Sequence, residues 1–111
     1  MDRLKRGDVV SVAGGGSYTG KPRPAVVVQS DLFNETHASL TIVPVTSTRI
    51  DAPLFRIDLA VGGTGLRRPS QAMVDKVTSV PRERIGRTLG VLHAADLRMI
   101  DEGLRLWMGL A

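Results

Sequence analysis

Apolar positions along the first ninety residues come in short runs broken by glycine, proline or polar clusters, and only the last segment changes period. Val9-Val10-Ser11-Val12 is a β-branched run that predicts a first strand. The stretch from Ala13 to Pro22 carries consecutive glycines at 14, 15 and 16 and predicts a loop, because glycine weakens a strand and Pro22 removes a ladder donor. Pro24-Ala25-Val26-Val27-Val28-Gln29 is apolar without alternation, which predicts a central strand buried on both faces. Leu40 to Thr46 gives another strand, ending near Pro44, and Leu54 to Leu59 a further one, closed by the turn Gly62-Gly63-Thr64-Gly65. Gln71 to Val77 reads as strand, Pro81-Arg82-Glu83-Arg84 as a one-turn helix with proline first, and Ile85 to Val91 as strand again.

From Leu97 onward the spacing is helical, since Leu97, Ile100, Leu104, Trp107 and Met108 lie three and four residues apart on one stripe. Five or six short strands with one terminal helix predict a mainly β protein, a small, strongly curved antiparallel sheet or SH3-like barrel with the helix packed across it. Trp107 and Met108 are read as helix core rather than as a ligand site. At 111 residues the expectation is one domain over 1–111. The longest apolar run, Pro24 to Val28, is far too short to cross a bilayer, and no apolar stretch follows Met1 to Arg6, so a cytoplasmic protein with no membrane partner is expected.

Composition narrows the chemistry. Cysteine is absent, which excludes a disulfide framework, a thiolate metal site and cysteine nucleophile chemistry. His37 and His93 have no neighbour at metal-ligand spacing, and neither a P-loop nor a dinucleotide fingerprint occurs, so no metal and no cofactor is expected. Lysine and arginine total 15 against 11 acidic residues, for a net charge of +4, and twelve of the fifteen are arginine. The planar guanidinium fork matches phosphate bidentately, so this balance favours a nucleic-acid partner. Arg82, Arg84 and Arg87 form a basic cluster that suits either a phosphate backbone or a solvated turn.

Four blocks then stand in order: Lys5-Arg6-Gly7-Asp8-Val9-Val10, Lys21-Pro22-Arg23-Pro24 running to Asp31, Thr41-Ile42-Val43-Pro44-Val45-Thr46-Ser47-Thr48, and Gly65-Leu66-Arg67-Arg68-Pro69-Ser70-Gln71-Ala72 with Val74-Asp75-Lys76-Val77. Their order and spacing resemble the PemK/MazF family of toxin endoribonucleases over nearly the whole chain. The resemblance implies a compact barrel that dimerises, cuts single-stranded RNA without metal, inhibits translation and growth, and is silenced by a cognate antitoxin. The family's catalytic arginine falls on Arg23 and its catalytic threonine on Thr46. RNA contacts are expected from Lys21, Ser47, Arg68, Ser70, Gln71, Arg82 and Arg84. Some members of the family use an arginine and an aspartate two positions apart; Arg68 fits the first, and Ser70 stands in place of the second.

In metal-free RNA cleavage the neighbouring 2′-hydroxyl attacks phosphorus, leaving a 2′,3′-cyclic phosphate and a 5′-hydroxyl. The site must stabilise extra negative charge on the non-bridging oxygens and move protons. Arg23, between Pro22 and Pro24, would project from a stiff support, and the Thr46 hydroxyl could donate to the same phosphate. Neither is a proton acceptor at neutral pH, so the general base is not identified; His37, in a polar loop, reads as a surface residue. A groove built from Arg23, Arg68 and Arg82 or Arg84 should accept an acidic, initially disordered antitoxin segment. Apolar strands and a helix ending in Trp107 and Met108 predict a homodimer. Two other readings stay open on the residues: a gyrase-directed toxin on the same kind of barrel, which would use the Trp107-containing end, and a non-catalytic SH3-like module binding RNA or peptide.

Overall fold

The computed structural model describes residues 3–14 and 21–110, so the centre of the glycine-rich loop expected over 13–22 lies outside the described residues. Seven strands form, β1 (Asp8–Val12), β2 (Arg23–Val27), β3 (Ser39–Thr46), β4 (Arg56–Leu59), β5 (Ser70–Met73), β6 (Thr78–Pro81) and β7 (Ile85–Val91), followed by the helix α1 (Ala94–Met108). All pair antiparallel in the order β4-β5-β3-β2-β1-β7, with β6 attached to β3. The expected mainly β, strongly curved sheet with a C-terminal helix is therefore what the chain forms.

The unbroken apolar run of β2 has a simple cause. Its alternate residues enter different cores, as the pleat requires. Ala25 and Val27 join Val10, Val12, Leu40, Ile42 and Val80 in one cluster, while Val26 and Val28 join Val9, Val43, Val45, Ile57, Ala72 and Ile100 in the other. The first cluster fills the curl made by β1, β2, β3, β6 and the start of β7. The second lies between the opposite face, β4, β5 and the helix.

The elements differ from the sequence reading in several places. The third strand does not end near Pro44, because on its outer edge β3 pairs β6 up to Ile42 and β5 from Val45, and Pro44 falls in the gap between those partners. The strand read over Gln71–Val77 stops at Met73; Val74–Lys76 make one 3-10 turn that buries Val74 and bonds its N–H to the Phe55 carbonyl at 2.8 Å. β6 is the additional strand. Its Thr78 and Ser79 are exposed and only Val80 faces the core, so it carries almost no hydrophobic signal.

The helix stripe is buried at one end only. Ile100 is fully buried, Leu97 and Leu104 pack against the second cluster, and Arg6 anchors α1 by donating to both carboxylate oxygens of Asp101 and to the Val28 carbonyl. Trp107 and Met108 remain 49% and 58% exposed, so they are not core as expected. The last turn overhangs the sheet, with Trp107 resting edge-on against Phe55 at a ring separation of 5.3 Å. Among the described residues no helix is long and apolar enough to cross a membrane.

Candidate active site

The β2–β3 register pairs Ala25 with Pro44 and Val26 with Val43. Carried two residues further, it sets Arg23 opposite Thr46 at the ends of their strands. The same rung continues on one side to Val12, which pairs Arg23, and on the other to Gln71 and Asp58. Directly opposed residues across an antiparallel pair stand about 5 Å apart on one face, so the topology alone brings Arg23 and Thr46 together. They lie where the apolar rows of the first cluster run out. That is why polar side chains can occupy a rung that begins in the core.

A cleft of about 690 Å³ opens at this place, lined by both residues and by Ser47, Thr48, Arg67, Arg68, Ser70, Arg87 and Ser11, among others. Four arginines therefore border one cavity, and its described lining contains no aspartate, glutamate or histidine. Among the described residues none of the four arginine side chains has a hydrogen-bond or ion-pair partner within the chain. Thr46 Oγ1 accepts the Thr48 N–H at 3.1 Å, which takes one lone pair and leaves the hydroxyl proton for a ligand. Among the described residues no three histidine, aspartate or glutamate side chains stand close enough to hold a metal ion.

The loop that brings Arg67 and Arg68 is built against the strand that brings Arg87. Ala60 N–H donates to Asp96 of α1 at 2.9 Å, and Gly63 accepts the Val91 N–H at 3.0 Å. Thr64, fully buried, bonds the Val61 carbonyl and the Leu66 N–H through its hydroxyl. The packing demands glycine at both contact points: a Cβ on Gly65 would stand 2.3 Å from the Leu89 carbonyl oxygen, and one on Gly90 would stand 2.4 Å from that of Gly63. Ser70 Oγ closes the turn by donating to the Arg68 carbonyl at 2.9 Å.

Of the residues expected from the sequence, Arg23, Thr46, Ser47, Arg68 and Ser70 meet at the cleft. Lys21, Gln71, Arg82 and Arg84 do not line it. Arg82 donates to the backbone carbonyls of His37 and Asn34, and Arg84 donates to that of Ala13 at 2.9 Å, so both brace neighbouring loops. Gln71 is buried beneath the 49–53 segment. His37 lies outside the lining, and the His93 ring meets the Gly62 carbonyl at 2.6 Å.

Ser11 and Arg67 line the cleft without a sequence signal as ligand contacts, and of the basic cluster at 82, 84 and 87 only Arg87 lines it. Arg87 arrives through two register shifts in the β1–β7 pair, between Val9 and Val10 and between Val10 and Val12, with its N–H donating to Ser11 Oγ at 3.1 Å. Such bulges re-aim side chains at site rims. The glycines inside β7, at 86 and 90, are the sequence signal for them.

The sequence pattern of a family described as PemK-like, MazF-like toxin of type II toxin-antitoxin system matches residues 5–108. A probable endoribonuclease MazF of Mycolicibacterium smegmatis is 43% identical over 109 residues, which span 97% of this chain and 99% of that protein. Endoribonuclease MazF9 of Mycobacterium tuberculosis is 35% identical over 115 residues, 96% of this chain and 98% of that one. A solved mycobacterial endoribonuclease in complex with its cognate antitoxin covers 97% of both chains with a TM-score of 0.81; at 21% identity this likeness speaks for the fold alone. With the family pattern spanning nearly every residue and two relatives above 30% identity, the chain belongs to the PemK-like, MazF-like toxins of type II toxin-antitoxin systems.

Proposed function

We propose that the cleft is the active site of a metal-independent, sequence-specific endoribonuclease that cuts single-stranded RNA through attack of the 2′-hydroxyl on the adjacent phosphorus. The observation that carries this reading is the rung that sets Arg23 beside Thr46 inside a cavity bordered by three further arginines, with no aspartate or glutamate in its described lining. A phosphodiester acquires negative charge on its non-bridging oxygens as the 2′-oxygen adds. Arg23 supplies a positive fork for that charge, and the Thr46 hydroxyl donates to the same phosphate. Arg67, Arg68 and Arg87 hold the flanking phosphates, while Ser47 and Ser70 offer hydroxyls to bases or sugar. Arg82 and Arg84 act as braces in this reading rather than as RNA contacts; the 2′-hydroxyl proton leaves to solvent, and as the P–O5′ bond breaks the departing 5′-oxygen takes a proton from solvent to become the 5′-hydroxyl.

Translation and growth stop when this activity is free in the cytoplasm, and a cognate antitoxin restrains it. The cleft's charge suits an acidic segment that orders on binding and displaces RNA. The overhanging helix end, with exposed Leu106, Trp107, Met108 and Leu110, supplies a face for a second copy in a homodimer. The test is purified protein and a long RNA in the presence of a chelator, with both product ends mapped. Cleavage that persists and leaves 2′,3′-cyclic phosphate and 5′-hydroxyl ends at a recurring sequence is expected. Intact RNA, or cutting that stops when metal is removed, would overturn the reading.

A further inference from the structure

We propose that Gln71 is a positioning residue that sets the Thr46 hydroxyl for the reaction; the proposal rests on the role given to Thr46 above. Gln71 stands on β5 directly across from Thr46 on β3 and from Asp58 on β4. It is 5% exposed and reaches away from the cleft into a second, smaller pocket of about 350 Å³, where Arg49, Asp51, Arg56 and Asp58 are the charged neighbours.

Its side-chain amide engages both backbone polar groups of one residue, Ile50. The Ile50 N–H donates to Gln71 Oε1 at 3.0 Å, and Gln71 Nε2 donates to the Ile50 carbonyl and to Asp58 Oδ1, each at 3.0 Å. Both amide hydrogens and the amide oxygen are thus engaged inside the chain. A primary amide supplies two donors and an acceptor together, which the three bonds use in full.

What these bonds hold is the exit from β3. The segment 46–50 is tied at Thr46 by the β-ladder and at Ile50 by the amide, and between these ties Thr48 turns its N–H onto Thr46 Oγ1 at 3.1 Å. That bond fixes the Thr46 rotamer and the direction left for its proton. Without the amide, Ile50 loses its side-chain anchor, and the Thr48 N–H is no longer held against the hydroxyl from that end of the segment. A glutamine that resembled an RNA contact in the sequence acts through Thr46.

The experiment compares wild type, Gln71→Met, Thr46→Val and the double variant. It measures single-turnover cleavage of a short RNA spanning a mapped cut site, and the Kd for the same RNA carrying a 2′-O-methyl group there. Gln71→Met should lower the rate by about tenfold, the scale of a modest misplacement of a reacting group, while Kd stays within about twofold. In the Thr46→Val background Gln71→Met should cost nothing more. Gln71→Glu supplies a second readout. As a carboxylate it turns acceptors toward the Ile50 carbonyl and Asp58; protonated, it again offers one donor and one acceptor, so its rate relative to wild type should recover as pH falls.

An unchanged rate for Gln71→Met would overturn the proposal, as would a full multiplicative loss in the double variant or a Gln71→Glu ratio flat with pH. A Thr46→Val protein as fast as wild type would overturn the Thr46 assignment, and this proposal with it. Gln71→Met slow beside such a Thr46→Val protein would point to a route that does not pass through Thr46, which is equally fatal.

Discussion

Two groups of arginine do different work in this small protein. Arg6, Arg56, Arg82 and Arg84 are tied to the chain's own oxygens: Arg6 to Asp101 and Val28, Arg56 to Asp75 at 3.3 Å, Arg82 and Arg84 to backbone carbonyls. Arg23, Arg67, Arg68 and Arg87 border one cleft without such partners among the described residues. The net charge of +4 says nothing of this division. A guanidinium whose donors already meet carbonyls stabilises a turn and adds little to ligand binding, whereas one left facing a cavity keeps its donors free for phosphate.

Substitutions in either group of arginines should separate their roles. The largest effect is expected at Arg23→Ala, which should slow RNA cleavage by on the order of 10² to 10³, the usual loss when a fixed donor to a developing oxyanion is removed. Its melting temperature should stay close to wild type, because the side chain is exposed at a strand end. A cleavage rate within twofold of wild type would remove Arg23 from the chemistry.

A smaller loss is expected at Arg87→Ala, read as weaker RNA binding rather than as a failed reaction. The slope of log affinity against log salt should flatten by about 0.7, the share of one phosphate contact on a single strand. An unchanged slope would place Arg87 outside the phosphate path. The smallest effect on activity belongs to Arg82→Ala, whose cleavage rate should match wild type at a temperature where both are folded. Its stability should fall by about 1 kcal/mol through the lost bonds to Asn34 and His37, roughly 4–8 °C in Tm for a domain of this size.

Much of the fold was legible because the sheet reports itself in runs of valine and isoleucine, and the helix in its change of period. Even the rung was implicit: Arg23 precedes the core strand and Thr46 follows its neighbour, so an antiparallel register joins them once the strands are placed. What stayed hidden depends on events several residues away. β6 contributes one apolar side chain, so no pattern marks it. Arg87 reaches the cleft only through the bulges in β7, whereas Arg82 and Arg84, five and three residues earlier, are turned aside by a 3-10 turn. Gln71 looks like any exposed polar residue in a strand until the 49–53 segment folds over it. The overhang of Trp107 and Met108 depends on where the sheet ends beneath α1, which helical spacing does not reveal.

The central claim is that the cleft's arginines stabilise a phosphate attacked by the substrate's own 2′-hydroxyl. It is tested most directly with a short RNA spanning one mapped cut site in which a single 2′-hydroxyl, that of the nucleotide on the 5′ side of the scissile bond, is replaced by hydrogen. The purified protein should bind this oligonucleotide with nearly unchanged Kd and leave it uncut over times that fully consume the all-RNA control. Cleavage of the deoxy-substituted strand at the same bond would contradict it.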